Sequence, residues 1–237
     1  MAEFDSWKQY SQFAYFVQRE SRHILDARNQ RFLAVVIEQS AKRKRSIEKG
    51  TVLWRAQLGN NWRREKIRDR RGREVASFDY ERPHSPKRMM PLQDRASEGR
   101  ANPKGIPCLY FSTDRDTAMT ETRPWIGSCV SVAKFVMLKD LTVVNCSAVE
   151  KDEPVWASIN RAFSEPVTRN DDVADYAPTQ VIAEALRAAG YDGIEYGSKL
   201  GTGKTVAIFD LAAAKPAKCH LYRVEAVSLK FSMVTEH

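Results

Sequence analysis

The order of apolar segments along the chain constrains its fold more than any other feature of the sequence. Residues 5–48 carry apolar side chains at helical spacing, whereas many later segments are short apolar runs typical of strands, with helical patterns between them. Because strands and helices do not alternate regularly, the pattern favours an α+β fold over a doubly wound parallel sheet. The chain has 237 residues, enough for one sizeable core or for one domain with a small helical extension.

Breakers, caps and periodicity place the individual segments. The helical pattern of the first segment ends at Gly50, which divides the chain into a helical N-terminal extension at 1–50 and a larger domain, a mixed β core with flanking helices, at 51–237. The proline-containing basic stretch at 57–105 is expected to be irregular. Strands are expected at 51–56, 106–113, 129–138, 141–145, 193–198, 205–210 and 221–231, and helices at 114–123 (capped by Ser112 or Thr113), 154–166 and 178–189.

The chain is basic, with a formal net charge of +8, and the excess collects at 42–45 and 63–73. Such clusters suit a nucleic acid, another polyanion or an acidic protein surface, and they also occur as simple solvated faces. The sequence shows no zinc-finger spacing, no single-strand RNA-binding signature and no repeated interleaving of aromatic and basic residues. Nucleic acid is therefore not expected as a partner.

Several functional classes find no support in the sequence. The four cysteines form no CxxC pair and have no histidine at ligand spacing, so no metal is expected. The GTGKT segment lacks the first glycine of a phosphate-binding loop, because Ser198 stands there, and is interpreted as a turn between two strands. No apolar run approaches the roughly 20 residues of a membrane helix, and the N-terminus does not resemble a signal peptide. These features predict a cytoplasmic protein without a membrane association.

Three side chains between residues 100 and 121 could form one polar site. Arg100 lies in a glycine-flanked loop, Tyr110 lies on the strand expected ten residues later, and Glu121 lies on the following helix. A strand-to-helix turn can bring Tyr110 and Glu121 to one cleft with Arg100 at its mouth. Arginine binds phosphate oxygens through a planar fork, tyrosine offers an aromatic face, and glutamate can hold ribose hydroxyls or a developing cation. The same three residues also suit a surface arginine, a core tyrosine and a helix-face glutamate.

The stretch GRANPKGIPCLYFSTDRDTAMTETRP resembles the central motif of the RES-domain family, which is named for its Arg, Glu and Ser. In that family a Gly-Arg-x-Asn loop leads to a proline-containing strand with a tyrosine and then to a helix with a glutamate. The resemblance extends over about residues 50–210: LWRA matches the opening strand, YAPTQ precedes a helix, and GYDGIEYGS leads to the family's serine. This chain differs in having Ala101 where many members have tryptophan, and a long basic insert at 60–97.

The resemblance implies an ADP-ribosyltransferase-like fold and an enzyme that degrades NAD, often as the toxin of a toxin–antitoxin pair neutralised by a helix-turn-helix antitoxin. It implies cleavage of the nicotinamide–ribose bond by a glycohydrolase or phosphorylase, with NAD as substrate. The residues it implicates in catalysis are Arg100, Tyr110, Glu121 and Ser198, and those it implicates in binding NAD are Arg55, Arg100, Asn102 and Tyr110.

Alternative functions stay open at this point. The chain could transfer ADP-ribose to a macromolecule, with the basic stretch holding an acidic target, or it could be a non-catalytic binding module whose basic face meets nucleic acid or an acidic partner. The sequence leaves open the acceptor, the identity of an antitoxin and the oligomeric state, including a homodimer.

Overall fold

The computed structural model describes residues 3–93, 96–147, 153–165 and 173–233. Its helices are α1 (Gln9–Arg19), α2 (Ala27–Ser40), α3 (Pro86–Met89), α4 (Arg115–Thr120), α5 (Pro154–Ser164) and α6 (Ala177–Ala188). Its strands are β1 (Lys44–Ile47), β2 (Val52–Leu58), β3 (Asn61–Arg68), β4 (Glu74–Arg82), β5 (Leu109–Ser112), β6 (Cys129–Met137), β7 (Leu141–Asn145), β8 (Gly193–Gly197), β9 (Lys204–Ile208) and β10 (Ala214–Arg223).

One large mixed sheet organises the chain, with the strand order β1-β7-β8-β9-β5-β2-β6-β10. Strands β7 and β8 pair in parallel, and the other neighbours in this sheet pair antiparallel. Strands β3 and β4 form a separate two-stranded antiparallel sheet. The α+β class with a mixed β core and flanking helices is therefore confirmed.

Alternation along the strands gives the sheet two apolar faces. One face packs against the N-terminal helices and α5 and α6, in a cluster that includes Phe13, Phe32, Trp156, Ile182 and Tyr196. The other face holds a second cluster that includes Leu53, Met89, Phe111, Phe135 and Val206. The two N-terminal helices thus share their core with the rest of the molecule.

Local sequence signals explain where several helices begin and end. Asp26 caps α2 by accepting a hydrogen bond from the Asn29 backbone N–H at 2.8 Å. Asp114 caps α4 in the same way, by accepting from the Thr117 N–H at 2.8 Å, so the expected cap at Ser112 or Thr113 was wrong by one or two residues. Gly190 follows α6 with a φ of 88°, a left-handed conformation that glycine adopts without steric penalty.

Three segments differ from the sequence-based expectations. Residues 44–47 form a strand, although the whole of 5–48 was expected to be helical. Residues 61–82 form the hairpin β3–β4, although 57–105 was expected to be irregular. The last strand spans Ala214–Arg223 rather than 221–231. The helix expected at 154–166 is confirmed as α5, and its final expected residue, Pro166, lies outside the described residues.

None of the helices in the described part of the chain has both the length and the apolar character that crossing a bilayer requires.

Candidate active site

The turn between β8 and β9 docks against the start of α4 and thereby brings Ser198 to Glu121. Gly203 N–H donates to Thr117 Oγ1 at 2.9 Å. A Cβ on Gly201 or Gly203 would collide with Thr117, and on Gly203 with the capping aspartate as well, so both positions depend on glycine for this close approach. The first three residues of the GTGKT segment therefore lie in a turn between two strands, as the sequence predicted, whereas Lys204 and Thr205 begin β9.

Ser198 and Glu121 form a short hydrogen bond. Ser198 Oγ donates to Glu121 Oε1 at 2.5 Å and accepts from the backbone N–H groups of Leu200 at 3.1 Å and Gly201 at 3.0 Å. The two backbone donors fix the oxygen, so its proton is directed at the carboxylate. Glu121 is solvent-exposed and lies one residue beyond the end of α4. The hydrogen bond therefore holds an accessible carboxylate in a defined orientation.

Tyr110 secures the loop that carries Arg100. Its hydroxyl donates to Asn102 Oδ1 at 2.7 Å and accepts from the Ala101 backbone N–H at 2.8 Å. The loop passes so close that a Cβ on Gly99 would lie 2.6 Å from the Tyr110 oxygen. Burial raises the pKa of Tyr110 well above its ordinary value, so the phenol stays protonated and can donate.

Helices α5 and α6 hold the same loop from the other side. The buried Gln180 of α6 donates through Nε2 to the carbonyl oxygens of Gly99 and Asn102, both at 3.0 Å. Arg100 donates through Nη1 to the Ala162 carbonyl of α5. Its guanidinium also lies 5.6 Å from the centre of the Tyr176 ring, a cation–π arrangement. A guanidinium has five N–H donors, so these contacts orient Arg100 and leave donors for a ligand.

These elements enclose a cleft of about 290 Å³. Three of the predicted site residues, Arg100, Tyr110 and Glu121, line it together. Ser198 reaches the cleft through its hydrogen bond to Glu121. The remaining lining residues are Glu98, Gly99, Arg123, Ser164, Glu165, Tyr176 and Tyr196.

Sequence reasoning did not identify Arg123, Tyr176 and Tyr196 as cleft residues. Arg123 has a φ of 48°, a left-handed conformation that is rare outside glycine and is concentrated at functional sites. The following Pro124 gives no signal for this conformation, because proline favours an extended backbone at the preceding residue. Tyr196 is buried and packs on Phe163, and its pKa is raised by burial first and by the nearby Glu121 carboxylate second. The cleft therefore has aromatic walls and charged side chains of both signs.

The structure places Arg55 and Asn102 outside this cleft. Arg55 lies on β2 and pairs with Ala133, whose side chain belongs to the second apolar cluster. The Tyr110 ring packs against the first cluster, on the opposite face of the sheet. Arg55 Nη1 donates to the Tyr110 carbonyl at 3.1 Å, so it supports the strand that carries the tyrosine. Asn102 is buried and donates through Nδ2 to backbone carbonyls of its own loop, at distances from 2.7 to 3.1 Å. Its role here is to shape the loop.

No group of three or more histidine, cysteine, aspartate or glutamate residues within the described ranges is arranged to hold a metal ion. The side chains that line the cleft present carboxylate, guanidinium, hydroxyl and aromatic groups.

The chain was compared with curated proteins, with solved structures and with models of protein families. No curated protein matches the chain. A chain in the crystal structure of the M. tuberculosis MbcT–MbcA toxin–antitoxin complex is similar at 13% sequence identity and a TM-score of 0.45, over 79% of this chain and 92% of that one. The model of the RES domain matches residues 52–232, which is most of the chain and includes every predicted site residue. The chain belongs to the RES-domain family.

Proposed function

We propose that this protein cleaves the nicotinamide–ribose bond of NAD. The observation that carries the proposal is the cleft in which Arg100, Tyr110 and Glu121 converge, with Glu121 oriented by Ser198 at 2.5 Å. The RES family resemblance implies NAD degradation by the same residue types. A cation for phosphate, aromatic walls for a flat base and a carboxylate for a developing positive charge are the groups that this reaction needs.

The size of the cleft suits part of the dinucleotide. Pockets that enclose small ligands span roughly 300–1,000 Å³, so a cleft of about 290 Å³ is at the lower limit. The nicotinamide riboside half would enter between the aromatic walls, and the adenosine half would extend into solvent. Arg100, and with it Arg123, would bind the pyrophosphate at the mouth.

In the proposed reaction the bond between the ribose anomeric carbon and the nicotinamide nitrogen breaks, and the bonding electrons leave with nicotinamide. Nicotinamide departs as a neutral molecule from a cationic substrate, so no strong general acid is required. Positive charge develops on the ribose, as in glycoside hydrolysis generally, and the Glu121 carboxylate stabilises it. Water or inorganic phosphate then attacks the anomeric carbon and loses a proton to solvent.

We further propose that this activity makes the protein the toxin of a toxin–antitoxin pair that acts in the cytoplasm. Loss of NAD would stop growth, so the host would need a partner that blocks the cleft. A helix-turn-helix antitoxin is the partner that the family resemblance implies. Growth arrest on expression of the wild-type protein, and normal growth on expression of a folded Glu121→Ala variant, would support this role.

The deciding experiment measures NAD loss and free nicotinamide with the purified protein, in the presence and absence of phosphate. Arg100→Ala and Glu121→Ala should abolish nicotinamide release. The matched controls are Arg31→Ala and Glu184→Ala, which remove the same groups from exposed positions on α2 and α6. The absence of nicotinamide release from the wild-type protein under both conditions would refute the proposal.

Labelled NAD identifies the acceptor in the same experiment. ADP-ribose as the product indicates a hydrolase, ADP-ribose 1″-phosphate indicates a phosphorylase, and label retained on protein or nucleic acid indicates a transferase.

A further inference from the structure

Residues 61–82, which form β3, β4 and their turn, stand apart from the main sheet as an arm. Every residue of β3 is exposed, and so are the residues of β4 up to Asp79. At its base the arm is attached by an ion pair between Glu81 and Arg223 and by a contact of 3.3 Å between His84 Nδ1 and Asn61 Oδ1. The hydrogen bonds, ion pairs and ring contacts that the structure describes for residues 62–80 join residues of the arm to one another.

The strands of the arm are electrically balanced. Arg64 donates two hydrogen bonds to the Asp79 carboxylate, both at 3.0 Å, on the neighbouring strand. Lys66 pairs with Glu74 at 2.6 Å. Outside residues 68–73, the arm has four cationic side chains and four carboxylates. The strands therefore offer little net attraction to a polyanion.

The positive charge of the arm is concentrated at its tip, residues 68–73, which comprise the last residue of β3 and the turn after it. This segment has four arginines and one carboxylate, that of Asp69. The carboxylate is already bonded to Arg73 Nε at 2.9 Å and to the backbone N–H groups of Arg71 and Arg73 at 2.8 and 3.0 Å. Arg70 and Arg71 are exposed and have no described side-chain partner. The tip thus presents guanidinium groups to solvent at the end of a narrow rod.

We propose that this arm binds double-stranded DNA by placing its arginine turn among the phosphates that flank the major groove. The major groove of B-form DNA is about 12 Å wide and admits a two-stranded β-ribbon. The eight residues of β3 span about 27 Å at about 3.4 Å per residue, enough to reach across a groove. Guanidinium groups bind phosphate oxygens in bidentate geometry.

The shape and charge of the arm favour DNA over the other polyanions. Double-stranded RNA has a deep, narrow major groove that does not admit protein side chains. The centre of a protein interface is apolar, whereas the tip of the arm carries guanidinium groups and no apolar residue. The exposed apolar residues of the arm, including Ile67 and Phe78, lie on the strands, where they would meet sugars and thymine methyl groups.

This inference departs from the expectation, based on sequence motifs, that nucleic acid is not a partner. Charge at 63–73 was visible in the sequence, but its placement at the tip of a free-standing ribbon was not. The proposal is independent of the NAD reaction, since residues 61–82 do not line the cleft.

The test uses fluorescence anisotropy with the full chain and a labelled mixed-sequence DNA duplex of about 30 base pairs, roughly three helical turns. Binding is measured over a series of salt concentrations for the wild type and for the double variant Arg70→Ser/Arg71→Ser. If both arginines contact phosphates, the slope of log affinity against log salt should become shallower by about 1.8, and affinity at 0.1 M salt should fall roughly 60-fold.

The matched control is Arg31→Ser/Lys42→Ser, which removes the same net charge from exposed positions near the N-terminus. Its salt slope should stay close to that of the wild type, and thermal melts should show that both variants fold. Equal losses in the two variants would overturn the proposal, because they would indicate a general charge effect. Absence of duplex binding by the wild type, or displacement of the duplex by polyglutamate at equal charge concentration, would also overturn it.

Discussion

The hydrogen bond between Ser198 and Glu121 leads to a prediction about how the two residues act together. If Ser198 works by orienting the carboxylate, Ser198→Ala should lower kcat/KM only while Glu121 is present. If Ser198 contacts the substrate itself, as the family resemblance also allows, its removal should lower the rate whether or not Glu121 is present. A double-mutant cycle distinguishes the orienting role of Ser198 from direct contact with the substrate.

The structure sets the expected magnitudes. Removing one electrostatic contact to a transition state lowers turnover by about 10²–10³, or roughly 2.7–4 kcal/mol, which we expect for Glu121→Gln. A hydrogen bond to a charged group contributes about 1.5–3 kcal/mol, and the solvent exposure of Glu121 reduces this to about 1 kcal/mol. Ser198→Ala alone should therefore lower kcat/KM roughly fivefold, and Ser198→Ala in the Glu121→Gln background should lower it by less than about twofold.

The assay is nicotinamide release at a series of NAD concentrations, with thermal melting to exclude unfolding. Ser198→Thr keeps the hydroxyl and should recover most of the rate. Ser158→Ala is the matched control, since it removes a serine hydroxyl that is bonded to the Pro154 carbonyl on α5 and is absent from the cleft lining. Additive losses from Ser198→Ala and Glu121→Gln would refute the orienting role.

Three further predictions follow from burial and backbone geometry. Tyr110→Phe removes both hydrogen bonds of the phenol and leaves buried partners unsatisfied, so urea denaturation should show a loss of about 1–3 kcal/mol; an unchanged midpoint would contradict the loop-securing role. Arg123→Gly relieves a left-handed backbone at φ 48° and should keep or raise the melting temperature while raising KM for NAD, whereas an unchanged KM would remove Arg123 from the binding site. Burial raises the pKa of Cys108 and Cys146 to about 12, so at pH 8 a thiol reagent should label only the other two cysteines of the folded protein, as mass spectrometry of the digest can check.

The sequence predicted the sheet best where strands are buried. Segments such as 129–138 and 141–145 were located to within a residue because their side chains meet a core on one or both faces. Strand β1 was missed because only Ile47 among its four residues is buried. The basic run 42–45 therefore shows no alternation of apolar and polar residues. The hairpin β3–β4 was missed for a related reason. Both of its faces meet solvent, and a strand with no core to face has no periodic apolar signal.

The final strand shows how an edge position obscures the pattern. Strand β10 pairs on one side only, with β6, and contains Pro216 at an irregularity in the register. Proline and lysine are typical of sheet edges because they discourage further pairing, but in a sequence they indicate a loop. The apolar alternation after residue 223 therefore drew the predicted strand toward the C-terminus, into residues for which the structure has no regular element.

The sequence indicated three side chains that share the cleft, but it did not distinguish them from family-matching residues that lie outside it. The spacing of Arg100, Tyr110 and Glu121 indicated one cleft, and the structure places all three there. Arg55 and Asn102 matched the family pattern equally well, yet neither lines the cleft, and both bond to backbone carbonyls that support it. A family motif includes residues that contact a ligand and residues that support those contacts. The motif alone therefore does not separate the two groups.

The N-terminal helices have a part in the site although they precede the RES match. Phe13 and Phe32 of α1 and α2 pack in the same cluster as Trp156 of α5 and Ile182 of α6. Helix α5 supplies the Ala162 carbonyl that accepts a hydrogen bond from Arg100, and α6 supplies the Gln180 amide that holds the Arg100 loop. Because a packed core resists displacement, α1 and α2 help to fix the position of the guanidinium. Burial raises the pKa of Tyr10 of α1, and Arg100 lies close enough for its charge to oppose that rise. The helices within residues 1–50 therefore pack against the two helices that hold Arg100 and its loop.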